Sequence, residues 1–412
     1  MIDQEEQTII RELAKRVRDL AAQDVNKERI RRIKDMHSLK PVRPPVWIDE
    51  IPWHEMDIGD ELSLRCRSEE GRNMELHFRR ILYRWKHIQA DMVVEDAFYV
   101  TKAYADSGSG LKVKEETIAT DTTNPIVSHH YEDQLNTEAQ VDALTIPVIK
   151  ALPEEDARNL ERAASILGGI LPVKLRGHQI YYAPWDQIPR YRGVENCYVD
   201  MVERPEFIHK IIAKFTEIYR ARYNQMEEQG LLDFNIPSIH CTPPYTDELP
   251  AQDWDGGKVR FKDVWFRGMA QLFGSASPDM REEFDFQYMR PFMEKCGLAY
   301  YGCCEPLDQF IPVLKKVPNM RKIGVTPWAD VRSSAEQIGG SYVMARKPNP
   351  ANAARFDKET VAREIEETVK TAIANNCPYE FVLKDISTVN GRPQNLIEWT
   401  STAMEVIDRY YR

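Results

Sequence analysis

The sequence predicts an α/β fold: a single (β/α)8 TIM barrel with an N-terminal helical extension. Two observations carry this expectation. From residue 298 onward, apolar runs alternate with amphipathic stretches: LAYYG before LDQFIPVLKK, RKIGV before ADVRSSAEQIG, SYVMA before DKETVAREIEETVKTAIANN, and EFVLK before RPQNLIEWTSTAMEVIDRYY. Alternation of this kind implies parallel strands joined by right-handed helical crossovers, and short, almost wholly apolar strands fit burial on both faces. The second observation is the lack of a Gly-x-Gly-x-x-Gly turn, which the rival open dinucleotide-binding sheet would need. The doublets Gly168-Gly169, Gly256-Gly257 and Gly339-Gly340 suit turns and helix ends instead.

Taken in order, residues 1–42 form the helical extension and 43–412 the barrel. Ile9, Ile10, Leu13, Val17 and Leu20 recur at helical spacing among charges, which predicts amphipathic helices packed as a cap on the body and leaves a homodimer contact open. KPVRPP, residues 40–45, is proline-punctuated and extended. Further strands are expected within LGGILPVKLRG (167–177), LLDFNIPSIHC (231–241) and VWFRGMAQLF (264–273). PEFIHKIIAKFTEIYRARYNQMEEQG is a long amphipathic helix between the first two of these.

Composition narrows the partners. A net charge of -10 argues against a nucleic-acid surface, which needs excess Lys and Arg. No apolar run is long enough for a membrane helix, and the charged N-terminus lacks the core of a signal peptide, so a cytoplasmic location is the expectation. Seven cysteines, an odd number, do not resemble a disulfide framework. A small-molecule ligand or a protein partner is expected.

In a parallel barrel the reactive groups follow the C-terminal ends of strands. Candidates there are His240 and Cys241; Cys303, Cys304 and Glu305 in GCCEP; Trp328 after Thr326; Asn349 after Lys347; and Asp385. Thiolate and imidazole donors from two strand ends suit zinc. Neighbouring residues on a strand face opposite ways, so one ligand from each pair is expected, and the two-residue period puts Tyr301, Cys303 and Glu305 on one face. Buried structural cysteines are the plain alternative. His178, Trp185 and the tyrosines near them form an aromatic segment that could line a pocket or only close the core. No Gly-x-Ser-x-Gly elbow or P-loop is present.

RPPVW (43–47), RYRGVENCYVDMVERPEFIHKII (190–212), AQLFGSASPDMREEFDFQYMRPFMEKCG (270–297), GCCEP and KPNPA together resemble the uroporphyrinogen decarboxylase superfamily, from about residue 43 to the C-terminus. The resemblance implies a (β/α)8 barrel with its site at the strand C-termini. True decarboxylases follow the Pro-Val-Trp segment with arginines, whereas here Asp49, Glu50 and Glu55 follow it. The branch of zinc-dependent, corrinoid-linked methyltransferases carries a His-x-Cys at this strand end and a further cysteine after the last strand. Here Tyr301-Gly302-Cys303 keeps the cysteine and replaces the histidine, and VLKDISTVNGRPQNL holds no cysteine.

What the resemblance implies is a rearranged zinc site from His240, Cys241, Cys303 and Cys304, with Glu305 and Asp385 as oxygen donors. Glu305, Tyr301 and His178 would be catalytic, and Trp185, Trp328, Asn349 and Asp385 would shape the pocket. The implied activity is an O-demethylase type of methyl transfer in anaerobic metabolism, from a small methoxylated or methylated compound to a corrinoid protein. A porphyrin carboxy-lyase and a non-catalytic corrinoid-binding protein are the alternatives.

Overall fold

The computed structural model describes residues 2–119 and 127–411. Two helices open the chain, α1 (Gln4–Ala21) and α2 (Asp24–His37). Asp3 caps α1 through a reciprocal box with Glu6, and the same Glu6 accepts hydrogen bonds from Ser68 N and Ser68 Oγ at 2.7 and 2.8 Å. One buried carboxylate therefore ties α1 to the start of α3 (Glu69–His87). Ile10, Leu13 and Val17 of the expected stripe, joined by Ala14, pack against Met74 and Phe78 of α3 and Ile166 and Leu167 of α4 (Pro153–Leu167), with Ile9 and Leu20 partly buried beside them. The α2 end meets the body through His37, whose Nδ1 lies 2.6 Å from the Tyr245 carbonyl and whose ring packs on Trp265.

The centre is a seven-stranded, wholly parallel sheet. Its strands are β1 (Val46–Ile48), β2 (Ile180–Tyr182), β3 (Trp265–Gly268), β4 (Leu298–Tyr301), β5 (Met320–Val325), β6 (Val343–Arg346) and β7 (Tyr379–Leu383), in the spatial order β1-β7-β6-β5-β4-β3-β2. Apart from β1, which joins the edge of β7, strands neighbour one another in chain order. That is the pattern of successive βα units winding one way. Helices α5 (Pro205–Glu228), α6 (Val331–Ile338), α7 (Lys358–Ala374) and α8 (Gln394–Asp408) belong to the outer layer.

Register separates the two faces of the sheet. Tyr181, Arg267, Tyr300 and Lys322 are cross-strand partners in one row; Tyr182, Gly268, Tyr301 and Ile323 form the next. The second row joins the helix-side core, where Tyr301 packs on Phe286 and Phe310. The first row faces the opposite way, onto a core that includes Ile236, Ile239 and Trp265. This inner face is unusually polar. Lys322 Nζ donates to Glu380 Oε1 at 2.8 Å and Thr242 Oγ1 to Glu380 Oε2 at 2.6 Å, all three residues being fully buried.

Two expected strands fall elsewhere. Within 167–177, Val173–Arg176 pairs with Phe98–Thr101 in a separate two-stranded sheet, and the central strand is the next apolar triplet, β2. The 231–241 segment makes a bridge of Leu232 with His178 and otherwise runs irregularly, placing Ile236 and Ile239 on the inner face. Its polar and proline content (Asp233, Asn235, Pro237, Ser238) explains the loss of ladder pairing. Among the described residues the sheet has no pairing between β2 and β1.

Candidate functional site

The C-terminal ends of β3, β4, β6 and β7 converge on the GCCEP turn. β4 is followed by Gly302, whose φ of 115° breaks the alternation of side chains. Tyr301 consequently remains on the helix side while Cys303 turns inward, so the shared face expected for Tyr301, Cys303 and Glu305 does not form. Cys303 packs with Met269 and Ala183, and with the partly exposed Tyr181 and Cys304.

His240 reaches the turn from the irregular 231–241 segment. Its Nε2 lies 2.8 Å from Cys303 Sγ, and Cys303 Sγ lies 3.4 Å from Cys304 Sγ. Cys304 Sγ in turn donates to Asp385 Oδ2 at 3.0 Å. His240, Cys241 and Asp385 all have positive φ, at 48°, 62° and 57°. Left-handed backbone at three non-glycine residues around one site is strain of the kind that surrounding structure must hold in place. Cys241 does not reach Cys303: it donates to Glu50 Oε1 at 3.4 Å, and its Sγ lies 4.0 Å from His240 Nδ1.

Three cations surround the thiols. Lys347 is 3% exposed and donates to the Cys303 and Gly302 carbonyls at 2.5 and 3.4 Å. Lys384 pairs with Asp385 at 2.8 Å and Glu50 at 3.4 Å. Arg267, 7% exposed, stacks its guanidinium 4.0 Å from the Tyr181 ring centre. The electrostatic result divides the thiols. The hydrogen bond from Cys304, with help from Lys347 and Lys384, lowers the Cys303 pKa against the effect of burial, while the same contact raises that of Cys304. Burial, reinforced by Arg267, Lys347 and Lys384, holds the His240 imidazole neutral. Cys303 is thus the more acidic thiol of the pair and His240 its neutral neighbour.

Glu305 braces the turn from beneath. It is 2% exposed and accepts from Cys303 N at 3.0 Å and Ala270 N at 3.3 Å. Beside it lie two more carboxyls. Tyr181 donates to Asp186 at 2.8 Å and Tyr301 to Asp285 at 3.0 Å. Burial raises Asp186 to about 6 and Asp285 to about 8.

The remaining expected residues lie outside this cluster. His178 precedes β2, at the opposite end of that strand, where its Nε2 contacts the Lys102 carbonyl and its ring meets Tyr104. Trp185 is buried, donating from Nε1 to the Phe284 carbonyl against Phe273. Asn349 caps its own loop through Ala351 N. Trp328 is 68% exposed and borders a cavity of 330 Å³ with Pro306, Phe273 and Arg281. The residues that the sequence reading left out are Arg267 and Lys384, and Lys347 entered it only as the neighbour of Asn349. The signal was available: a charge inside an apolar strand such as WFRG or EFVLK must face either the inner side or a partner.

Zinc suits the donor types His240, Cys303 and Cys304. Zinc bonds of about 2.0 to 2.3 Å would hold such donors more than about 3 Å apart, so His240 and Cys303, in contact at 2.8 Å, would have to open around an ion. Among the described residues no group of three or more His, Cys, Asp or Glu is already arranged to hold a metal.

No protein-family model and no curated protein matches the chain. Among solved structures, a methyltransferase from Methanosarcina mazei aligns over 92% of this chain and 98% of its own at 11% identity, with a TM-score of 0.48. A likeness that distant carries no inference about activity. No helix among the described residues is long and apolar enough to cross a membrane.

Proposed function

We propose that the protein is a methyltransferase of the uroporphyrinogen decarboxylase-like barrel type, moving a methyl group from a small methoxylated or methylated compound to a corrinoid carried by a partner protein. The observation that carries this reading is the contact of His240 Nε2 with Cys303 Sγ, made across two strand-end segments and continued to Cys304. His240, Cys303 and Cys304 would hold zinc, with Asp385 beside them. Bound there, zinc would supply Lewis acidity toward the donor heteroatom. The chain's own groups do the rest. The Cys304 hydrogen bond, with Lys347 and Lys384, favours ionisation of Cys303, neutral His240 keeps its ring nitrogen available, and Glu305 fixes the turn by its two backbone hydrogen bonds.

One sequence argument against the carboxy-lyase alternative falls away. Glu50 and Glu55 do not stand free to repel an anion: Glu50 pairs with Lys384, and Glu55 accepts from Thr388, Val389 and Gly391. The decisive experiment is anaerobic incubation of zinc-loaded protein with methoxylated compounds and cob(I)alamin, following methylcobalamin by its visible spectrum. Cys303→Ser and His240→Ala are each expected to lower transfer by about 100-fold or more, the scale set by losing one reacting group. Absence of bound zinc together with unaltered transfer in both variants would overturn the reading.

A further inference from the structure

We propose that Arg267 is a substrate-binding residue that takes a carboxylate, so that the small molecule received beside Cys303 is an acid. This rests on the reading of the thiol cluster as the reaction site. Arg267 lies in the middle of the inner-face row, between Tyr181 and Tyr300. It is 7% exposed, yet among the described residues no carboxylate comes within 4.0 Å of it, and its Nε has no hydrogen-bond partner. Among the described residues its sole acceptor is the thioether of Met269, 2.9 Å from Nη2.

A buried guanidinium whose hydrogen-bond acceptor is a weak sulfur keeps a desolvation cost that the Tyr181 face and the more distant Asp186 offset only in part. The edge formed by Nε and Nη2 is also the one that matches the two oxygens of a carboxylate. Tyr181 fixes the plane of the guanidinium by stacking, as the 4.0 Å separation shows. Met269, an unbranched side chain that yields readily, covers the edge and packs against Cys303 in the same apolar cluster. A ligand carboxylate displacing the thioether would therefore bring its remaining atoms beside the thiol. Lys347, another buried cation without a carboxylate within 4.0 Å among the described residues, adds positive potential from the β6 side. Buried Arg176, Arg192 and Arg346 each pair with an acid of the chain, and buried Arg281, which has none within 4.0 Å among the described residues, donates to the Phe273 carbonyl at 2.6 Å instead.

The test compares methoxyacetate with its neutral amide, methoxyacetamide, by calorimetry on the full-length protein. Wild type is expected to bind the anion about tenfold or more tightly than the amide, as a charge-assisted pair requires. Arg267→Gln should abolish that preference and Arg267→Lys should retain part of it. Cobalt(II) titration, read through the thiolate charge-transfer band, shows in each variant whether the thiol site is intact. Equal binding of anion and amide by wild type, no binding of either, or a preference that survives Arg267→Gln would overturn the assignment. A preference lost in Arg267→Gln, in a protein that transfers no methyl group, would uphold it and overturn the activity instead.

Discussion

Gly302 decides what the GCCEP turn can do. At φ 115° it lets the chain reverse side-chain parity in one residue, and a Cβ there would come within 2.6 Å of Leu307 Cδ1 and 3.2 Å of Gly324 Cα. Gly302→Ala is expected to cost about 2 to 3 kcal/mol through strain and overpacking, measurable by urea denaturation, and to weaken cobalt binding at the thiols. Glu305 acts at the same scale. Replacing an acceptor of two buried N–H groups with an amide in Glu305→Gln leaves one of them facing a donor, an expected loss of about 1 to 3 kcal/mol. A melting temperature equal to wild type would show that the turn is held by something else.

At the scale of elements, the site is assembled by loops that brace one another. Glu55, in the short turn Trp53–Glu55 after β1, accepts from Thr388 Oγ1 at 2.6 Å and from Val389 N and Gly391 N at 2.8 Å. Burial pushes its pKa up, but these hydrogen bonds outweigh it and hold the carboxyl below its usual 4.5. A depressed acid contributes stability above its unfolded pKa and loses it as pH falls through the folded value. Hydrogen exchange in residues 386–391 is thus expected to accelerate, relative to the rest of the chain, as pH drops below about 4.5. Glu55→Gln should show the faster opening already at neutral pH, and exchange indifferent to that change would refute the bracing role. Glu50 links the same loop to the site by accepting from Asp385 N at 2.9 Å.

Across the whole molecule, charge has been taken into both faces of the sheet. Lys322 and Glu380 form an ion pair with both side chains fully buried. Removing one partner in Glu380→Gln is expected to cost about 3 to 5 kcal/mol, while the paired change Lys322→Met with Glu380→Leu should cost less than the single one. On the helix side, Asp285 shows the opposite electrostatics to Glu55. Burial lifts its pKa from 3.8 to about 8 in the folded chain, against the pull of Tyr301 and Arg281. A raised pKa gives stability that is complete below the unfolded value and lost as pH climbs through the folded one. Stability is therefore expected to decline between pH 3.8 and about 8 from this group, and Asp285→Asn should flatten that slope in denaturation series across the same range.

The sequence by itself determined the alternation of β4 to β7 with their helices, the amphipathic face of α1, and the location of GCCEP at a strand end. These follow from short-range periodicity and from apolar content, which need no knowledge of neighbours. It also brought His240 and Cys303 forward as ligand types. Tertiary structure alone decided that His240 meets Cys303 while Cys241 meets Glu50, that Tyr301 faces helices, and that His178 belongs to the other end of β2. Each of these depends on a backbone reversal, at Gly302 or at His240 and Cys241, that strand parity does not contain. Arg267 is the sharpest case: its sequence shows a charge inside a strand, and only the packed inner face shows that no acid of the described chain meets it.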